Sequence, residues 1–215
     1  MSTMAMTTDF IASLQRDAAR YAGLQGWQRN LGFWIGATYR FGVWARSFRN
    51  RALRTPLVAQ HMVIDGVWRT LFNVQISTDA KIGPGLCLIH ARNIMVGPTE
   101  IGENCLIFHE VTIGTNANSA GAIPKIGNNV DIYVGARVLG RLVVGDDAKI
   151  GANCAVMKNV AAGSVVVPAV NREVPSRLVA AFGPRRASAD RAPVSPSPPP
   201  ATDPSGTPAD TSGSS

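Results

Sequence analysis

The sequence predicts a mainly β chain, wound as a triangular β-helix behind a small helical N-terminal domain. Three observations carry this. An aliphatic residue recurs at every sixth position: Ile76, Ile82, Leu88 and Ile94, then, after one inserted residue, Ile101, Ile107 and Ile113. After a longer interruption the step resumes through Ile126, Ile132, Val138, Val144, Ile150 and Val156. A glycine often follows the aliphatic residue (Gly83, Gly102, Gly114, Gly127, Gly145, Gly151), and a small or apolar residue sits four places after it (Ala80, Cys105, Val130, Ala136, Ala148, Cys154). A strict short period marks a solenoid, and six is the period of a β-helix in which three hexads close one coil. An α-helix needs a period of 3.6 and an isolated strand a period of two. The glycines are expected to permit an unusual backbone at each corner.

Taken in order, the chain opens with a predicted helix over 8–22, capped by Thr8 or Asp9, with Phe10, Ile11, Leu14 and Ala18 on one face. A second helix is expected over 28–50, rich in Trp and Arg, and a third over 56–72, with Pro56 in its first turn. The helical domain then spans 1–73 and the β-helix 74–170, with a closing segment at 171–186. Beyond Ala187 the composition falls to Ala, Pro, Ser, Thr, Gly and Asp, so 187–215 reads as a disordered tail.

The interruption has a definite size. Ile113 to Ile126 is 13 residues where a hexad uses six, so seven residues of TNANSAGAIPK must leave the prism as a loop. Excursions from a rigid scaffold are where function concentrates.

The net charge of +7 is uneven. Residues 1–74 carry nine Arg against three acids, whereas 75–173 carry eight charges of each sign. The arginines do not continue over the repeat and no nucleic-acid-binding motif is present, so no nucleic acid partner is expected. Trp34, Trp44, Arg40, Arg46, Arg49 and Arg51 either pack within the helices or make peripheral contact with an anionic membrane surface. The apolar stretch from Leu31 to Ala45, broken by Arg40, falls short of the roughly 20 residues a spanning helix needs. The N-terminal MSTMAMTTDF lacks a basic region followed by an apolar one, so a cytoplasmic location is expected, with the inner membrane face as the site of any such contact. Cys105 and Cys154 fall on inward hexad positions and read, in a reducing compartment, as small core residues.

The chain has three histidines. His61 has no partner in sequence. His90 and His109 are 19 residues apart, one coil of 18 plus the single inserted residue. Both are the third residue of their hexads, so they should stack on successive coils about 4.8 Å apart. The loop leaves the chain a few residues after His109 and can fold over them. A neutral imidazole within reach of a hydroxyl is a general base. A metal site would need a third ligand from Glu110, Asp79 or a cysteine, and no metal is expected.

The segments IGPGLCLIHARNIMVG, IGENCLIFHEVTIG, PKIGNN and AKIGANCAVMKNV resemble the serine acetyltransferase group of hexapeptide-repeat acyltransferases, from about Leu14 to Val174. The resemblance implies a left-handed parallel β-helix, a homotrimer with active sites between subunits, and acetyl-CoA as donor. It places His90 on the family's catalytic base. It places coenzyme A along Tyr133, Gly135 and Ala136 and along Lys149 to Ala152, with Lys158 near the nucleotide phosphates. A backbone N–H such as that of Gly114 would hold the oxyanion. Three positions depart from the family: Ile89 and Gln75 stand where it has Asp, and Ile123 where it has His. His109 with the following VTIG resembles the related sugar and exopolysaccharide O-acetyltransferases. The expectation is therefore acetyl transfer to a hydroxyl of a sugar or exopolysaccharide precursor, with His90 or His109 as base. Serine O-acetylation in cysteine biosynthesis is the alternative, and a non-catalytic scaffold a further one.

Overall fold

The computed structural model describes residues 3–24, 26–115 and 123–168. The closing segment and tail expected over 171–215 lie outside them, as does most of the loop over 115–125. Helix α1 (Thr3–Arg20) is followed by a 3₁₀ turn (Trp27–Arg29), α2 (Leu31–Ser47) and α3 (Arg51–Phe72). Two asparagines set the starts. The Asn30 side chain accepts from Gly32 N–H and that of Asn50 from Ala52 N–H, as N-caps do. Asn73, in the left-handed region, ends α3 by donating its N–H to Arg69 O. Thr8 and Asp9 lie inside α1, so neither caps it, and Pro56 sits within α3 because the helix begins earlier than Pro56 suggests.

From Gln75 onward, short parallel strands, numbered in chain order, build three sheets. One face stacks β1 (Gln75–Ile76), β4 (Met95–Val96), β7 (Thr112–Gly114), β10 (Arg137–Leu139) and β13 (Ala155–Val156). The second stacks β2 (Lys81–Ile82), β5 (Glu100–Ile101), β8 (Lys125–Ile126) and β11 (Val143–Val144). The third stacks β3 (Cys87–Leu88), β6 (Leu106–Ile107), β9 (Asp131–Ile132), β12 (Lys149–Ile150) and β14 (Val165–Val166). The hexad aliphatics point inward and form one continuous core: Leu88, Ile107, Ile113, Ile132, Val138 and Ile150 have no exposed surface. Ile35 and Tyr39 of α2, with Trp68 and Phe72 of α3, extend that core at the first coil.

Two features differ from the sequence expectation. The register pairs Ile76 with Val96 and Val96 with Ile113, so Val96, not Ile94, holds the hexad position. Leu88 to Val96 is eight residues and Val96 to Ile101 five. The single inserted residue is thus the net of a corner lengthened by two and a turn shortened by one. The corner glycines also serve another purpose. Positive φ falls instead on the residue three before the aliphatic, at Asn73, Asn93, Asn104, Glu110, Asn129, Asp147 and Asn153. Asn and Asp tolerate this region best among residues with side chains. Five of the glycines after the aliphatic, Gly83, Gly102, Gly127, Gly145 and Gly151, are required by close packing between coils, and Gly114 is not. A Cβ on Gly83 would stand 2.7 Å from the carbonyl of Gly102, and one on Gly102 2.7 Å from that of Gly127.

Candidate active site

The third face leads into the first at one long edge of the prism, and the histidines lie on it. Leu88 pairs with Ile107, so His90 and His109, each two residues further on, occupy equal offsets on successive coils. Their ring centroids are 5.9 Å apart at 73°, an edge-to-face pair rather than a parallel stack. The geometry follows from the lengthened corner: His90 adopts φ 51° within it, while in the regular corner the left-handed residue is Glu110. His90 is exposed and His109 half-buried. His109 Nδ1 is buried, with no hydrogen-bond partner among the described residues.

The same edge continues downward. Val134 and Ala152 hold the histidines' offset in the next two coils, because Ile107 pairs with Ile132 and Ile132 with Ile150. Tyr133 stacks on Phe108 with centroids 5.2 Å apart. Gly135 donates its N–H to His109 O and has φ 71°. Ala136 lies on the inner side of this edge. Its side chain is fully buried, its N–H donates to Tyr133 O, and its carbonyl accepts from Thr112 N–H. Lys149 is exposed, with Nζ 3.8 Å from Asp131 Oδ2.

Gly114 and Lys158 belong to a different edge, where the first face turns into the second. No atom lies within 4 Å of where a Gly114 Cβ would stand, so space is open beside it. His109 precedes β7 and Gly114 ends it, so the two lie at opposite edges of the first face. One prism therefore divides the expected site between two of its edges.

A cleft of about 520 Å³ opens beside His90. It is lined by Arg29, Asn30 and Gly32 from the helical side and by Ile89, His90 and Arg92 from the lengthened corner. Gly32 seats α2 against Leu88, whose carbonyl occupies the place a Cβ would need. Tyr21 Oη reinforces this by accepting from Leu88 N–H at 2.7 Å. Ile89 packs with Tyr21, Phe33 and Cys87. Gln75 is exposed on β1, paired with Met95, and Ile123 is half-buried before Pro124. The arginines were not singled out in the sequence; the lengthened corner that presents Arg92 is visible only once Val96 is placed.

Of the Trp and Arg side chains that the sequence left between packing and membrane contact, two pack inside the protein. Arg40 is buried, donating to both Asp17 carboxylate oxygens at 3.0 and 3.2 Å and to Ile82 O and Gly83 O. Trp44 is half-buried among Phe10, Phe41 and Phe48. No described helix is long and apolar enough to cross a membrane. Among the described residues no three His, Cys, Asp or Glu side chains converge on one point. Burial pushes the Cys105 thiol up to about 11, and raises those of Cys87 and Cys154.

No family model matches the chain. It is 42% identical over 101 residues to the serine acetyltransferase of Helicobacter pylori (strain ATCC 700392 / 26695), covering 46% of this chain and 59% of that enzyme. It thus spans somewhat over half of that relative's length. The serine acetyltransferase of Synechococcus elongatus is 30% identical over 182 residues, covering 84% of this chain and 70% of that one. The crystal structure of the Brucella abortus serine acetyltransferase in complex with coenzyme A is similar with a TM-score of 0.61 and 27% identity, over 75% of this chain and 65% of that one. With its three parallel sheets, stacked coils and helical N-terminus, the chain is a left-handed parallel β-helix of the serine acetyltransferase family.

Proposed function

We propose that the protein is an acetyl-CoA-dependent O-acetyltransferase that acetylates the hydroxyl of serine, with His90 as general base. The observation that carries this reading is the pair of imidazoles on one edge of the prism, one of them open to a cleft large enough for a small acceptor. The relatives reported above are serine acetyltransferases, which supports serine. The sugar or exopolysaccharide acceptor expected from the sequence has no support among them.

The chemistry is direct transfer. The acceptor hydroxyl oxygen attacks the thioester carbonyl carbon while an imidazole nitrogen takes its proton. The carbon–sulfur bond then breaks, and the thiolate leaves with the proton held by the imidazolium. The three cysteines are buried, and their raised pKa values keep them as thiols, so none is poised to form an acyl-enzyme. His109, held against His90, orients the ring or shares its proton. The division of Gly114 and Lys158 from the histidine edge favours a site completed by a second copy, as in a homotrimer. Light scattering after size exclusion is expected to give a trimer or a multiple of three. An active monomer would overturn the shared site.

The activity is tested by following free thiol from acetyl-CoA with serine, free sugars and nucleotide sugars as acceptors. Serine is expected to release thiol fastest. Turnover only with the sugars would replace serine as acceptor, and turnover with none would leave the prism as a scaffold.

A further inference from the structure

The cleft beside His90 is lined by two arginines and by no acidic residue. Arg29 closes the 3₁₀ turn ahead of α2, and Arg92 lies in the lengthened corner. Neither makes an ion pair among the described residues. In this they differ from Arg16, Arg40 and Arg69, each of which faces an acid.

The Arg92 side chain and the backbone turn that carries Arg29 are held in place by their surroundings. The Arg92 guanidinium lies over the Phe72 ring, 5.6 Å from its centroid. Its backbone is pinned on both sides: Glu110 N–H donates to Arg92 O at 2.9 Å, and Asn93 N–H donates to Phe72 O at 3.0 Å. On the other wall, Trp34 Nε1 donates to Gln28 O at 3.1 Å, and Asn30 N–H to Trp27 O at 3.1 Å. Gly32, seated directly on Leu88, fixes that turn over the corner carrying His90. A regular hexad corner would be two residues shorter and would not present a residue at the place of Arg92.

From this geometry we infer that Arg29 and Arg92 are the acceptor-specificity residues, and that they bind an anionic group of the acceptor while its hydroxyl meets His90. A molecule with its hydroxyl at His90 must place its remaining atoms in this cleft. A neutral group there gains little from two guanidinium ions. A carboxylate or phosphate gains planar, charge-assisted hydrogen bonds, which arginine makes better than lysine. The inference deepens the proposed acetyl transfer and rests on it for the reaction, though not for the binding.

The test compares wild type with Arg29→Ala, Arg92→Ala, the double variant and Arg92→Lys. Hydrogen bonds to charged groups contribute about 1.5–3 kcal/mol, or roughly 10- to 100-fold in affinity. Each alanine variant is expected to raise the KM for the anionic acceptor at least tenfold, with a much smaller change in kcat and none in the KM for acetyl-CoA. Arg92→Lys should recover only part of the loss. L-serine against L-serinamide, and glucose 1-phosphate against glucose, separate a carboxylate from a phosphate: whichever charged member the wild type prefers loses its advantage in the double variant. Binding is measured separately by titrating inorganic phosphate and L-serine without acetyl-CoA, read as shifts of the His90 ring resonances. Saturable shifts that vanish in the double variant support the anion site even if no acceptor releases thiol, an outcome that sinks the acetyl-transfer reading alone. Shifts that persist in the double variant, no saturable shift with either probe, or equal use of serine and serinamide overturn the inference.

Discussion

In the prism, the residue at position 132 can be anticipated from the one at 126; in the helical cap, nothing at position 36 anticipates Arg40. The prism rests on many equivalent contacts. Leu88, Ile107, Ile132, Ile150 and their neighbours are each fully buried, each contributing about 1.5–3 kcal/mol relative to exposure, and none is special. The cap rests on a few contacts with no substitute. Arg40 and Asp17 are both buried and form one network that joins α1 and α2 to the first coil, with Asp17 Oδ1 also accepting from Gly85 N–H and Leu86 N–H. Repetition produces a rigid edge on which side chains can be changed without loss of fold, and that edge carries the histidines. The cap uses its buried charges to hold one wall of the cleft in place.

The sharpest test of this contrast separates activity from stability. His90→Ala is expected to lower turnover by about 10²- to 10⁴-fold, while the unfolding midpoint stays within error, because the ring is an exposed corner residue. His109→Ala should cost about tenfold or more by the same assay. A His90→Ala/His109→Ala protein that keeps the wild-type rate would end the mechanism. In the cap the effects reverse. Arg40→Ala leaves Asp17 buried and unpaired, a loss of about 3–5 kcal/mol in unfolding free energy. Chemical denaturation of the two variants side by side gives the comparison directly. An Arg40→Ala protein as stable as wild type would show that the cap, like the prism, has redundant contacts.

The hexad rule located the inward aliphatics and the adjoining small core positions because each is imposed by the same backbone geometry in every coil. It placed His90 and His109 together because a count of 19 residues is insensitive to where the extra residue falls. The same insensitivity hid the lengthened corner: Ile94 and Val96 are both aliphatic and both buried, so the pattern could not tell which held the strand position. Arg92, and with it the character of the cleft, depended on that choice. The Asp17–Arg40 pair was not legible because its partners are 23 residues apart on different helices. The helix starts could have been read more closely, since Asn30 and Asn50 are capping residues in plain sight.

The smallest expected effect lies where the cap holds a titratable group without a partner. His61 of α3 is buried against Gly42 of α2, its ring filling the space a Cβ would need, and its Nδ1 has no hydrogen-bond partner among the described residues. Burial holds its pKa below the ordinary histidine value; Asp65 opposes this shift, and Arg46 and Arg69 add to it. In the unfolded chain the ring titrates near its ordinary value of about 6.5. Below that pH the unfolded state takes up a proton the folded state resists, so the contribution of neutral His61 is present above about 6.5 and is lost as pH falls toward the depressed folded value. The unfolding midpoint of the wild type should drop between pH 7.5 and 5.5. His61→Leu, of similar bulk and unable to titrate, should drop less. His90 and His109 are common to both proteins, so the difference between the two curves isolates His61. Parallel curves would mean that the ring gains a proton in the folded cap as readily as in the unfolded chain, and that the contact between α2 and α3 opens more easily than its burial indicates.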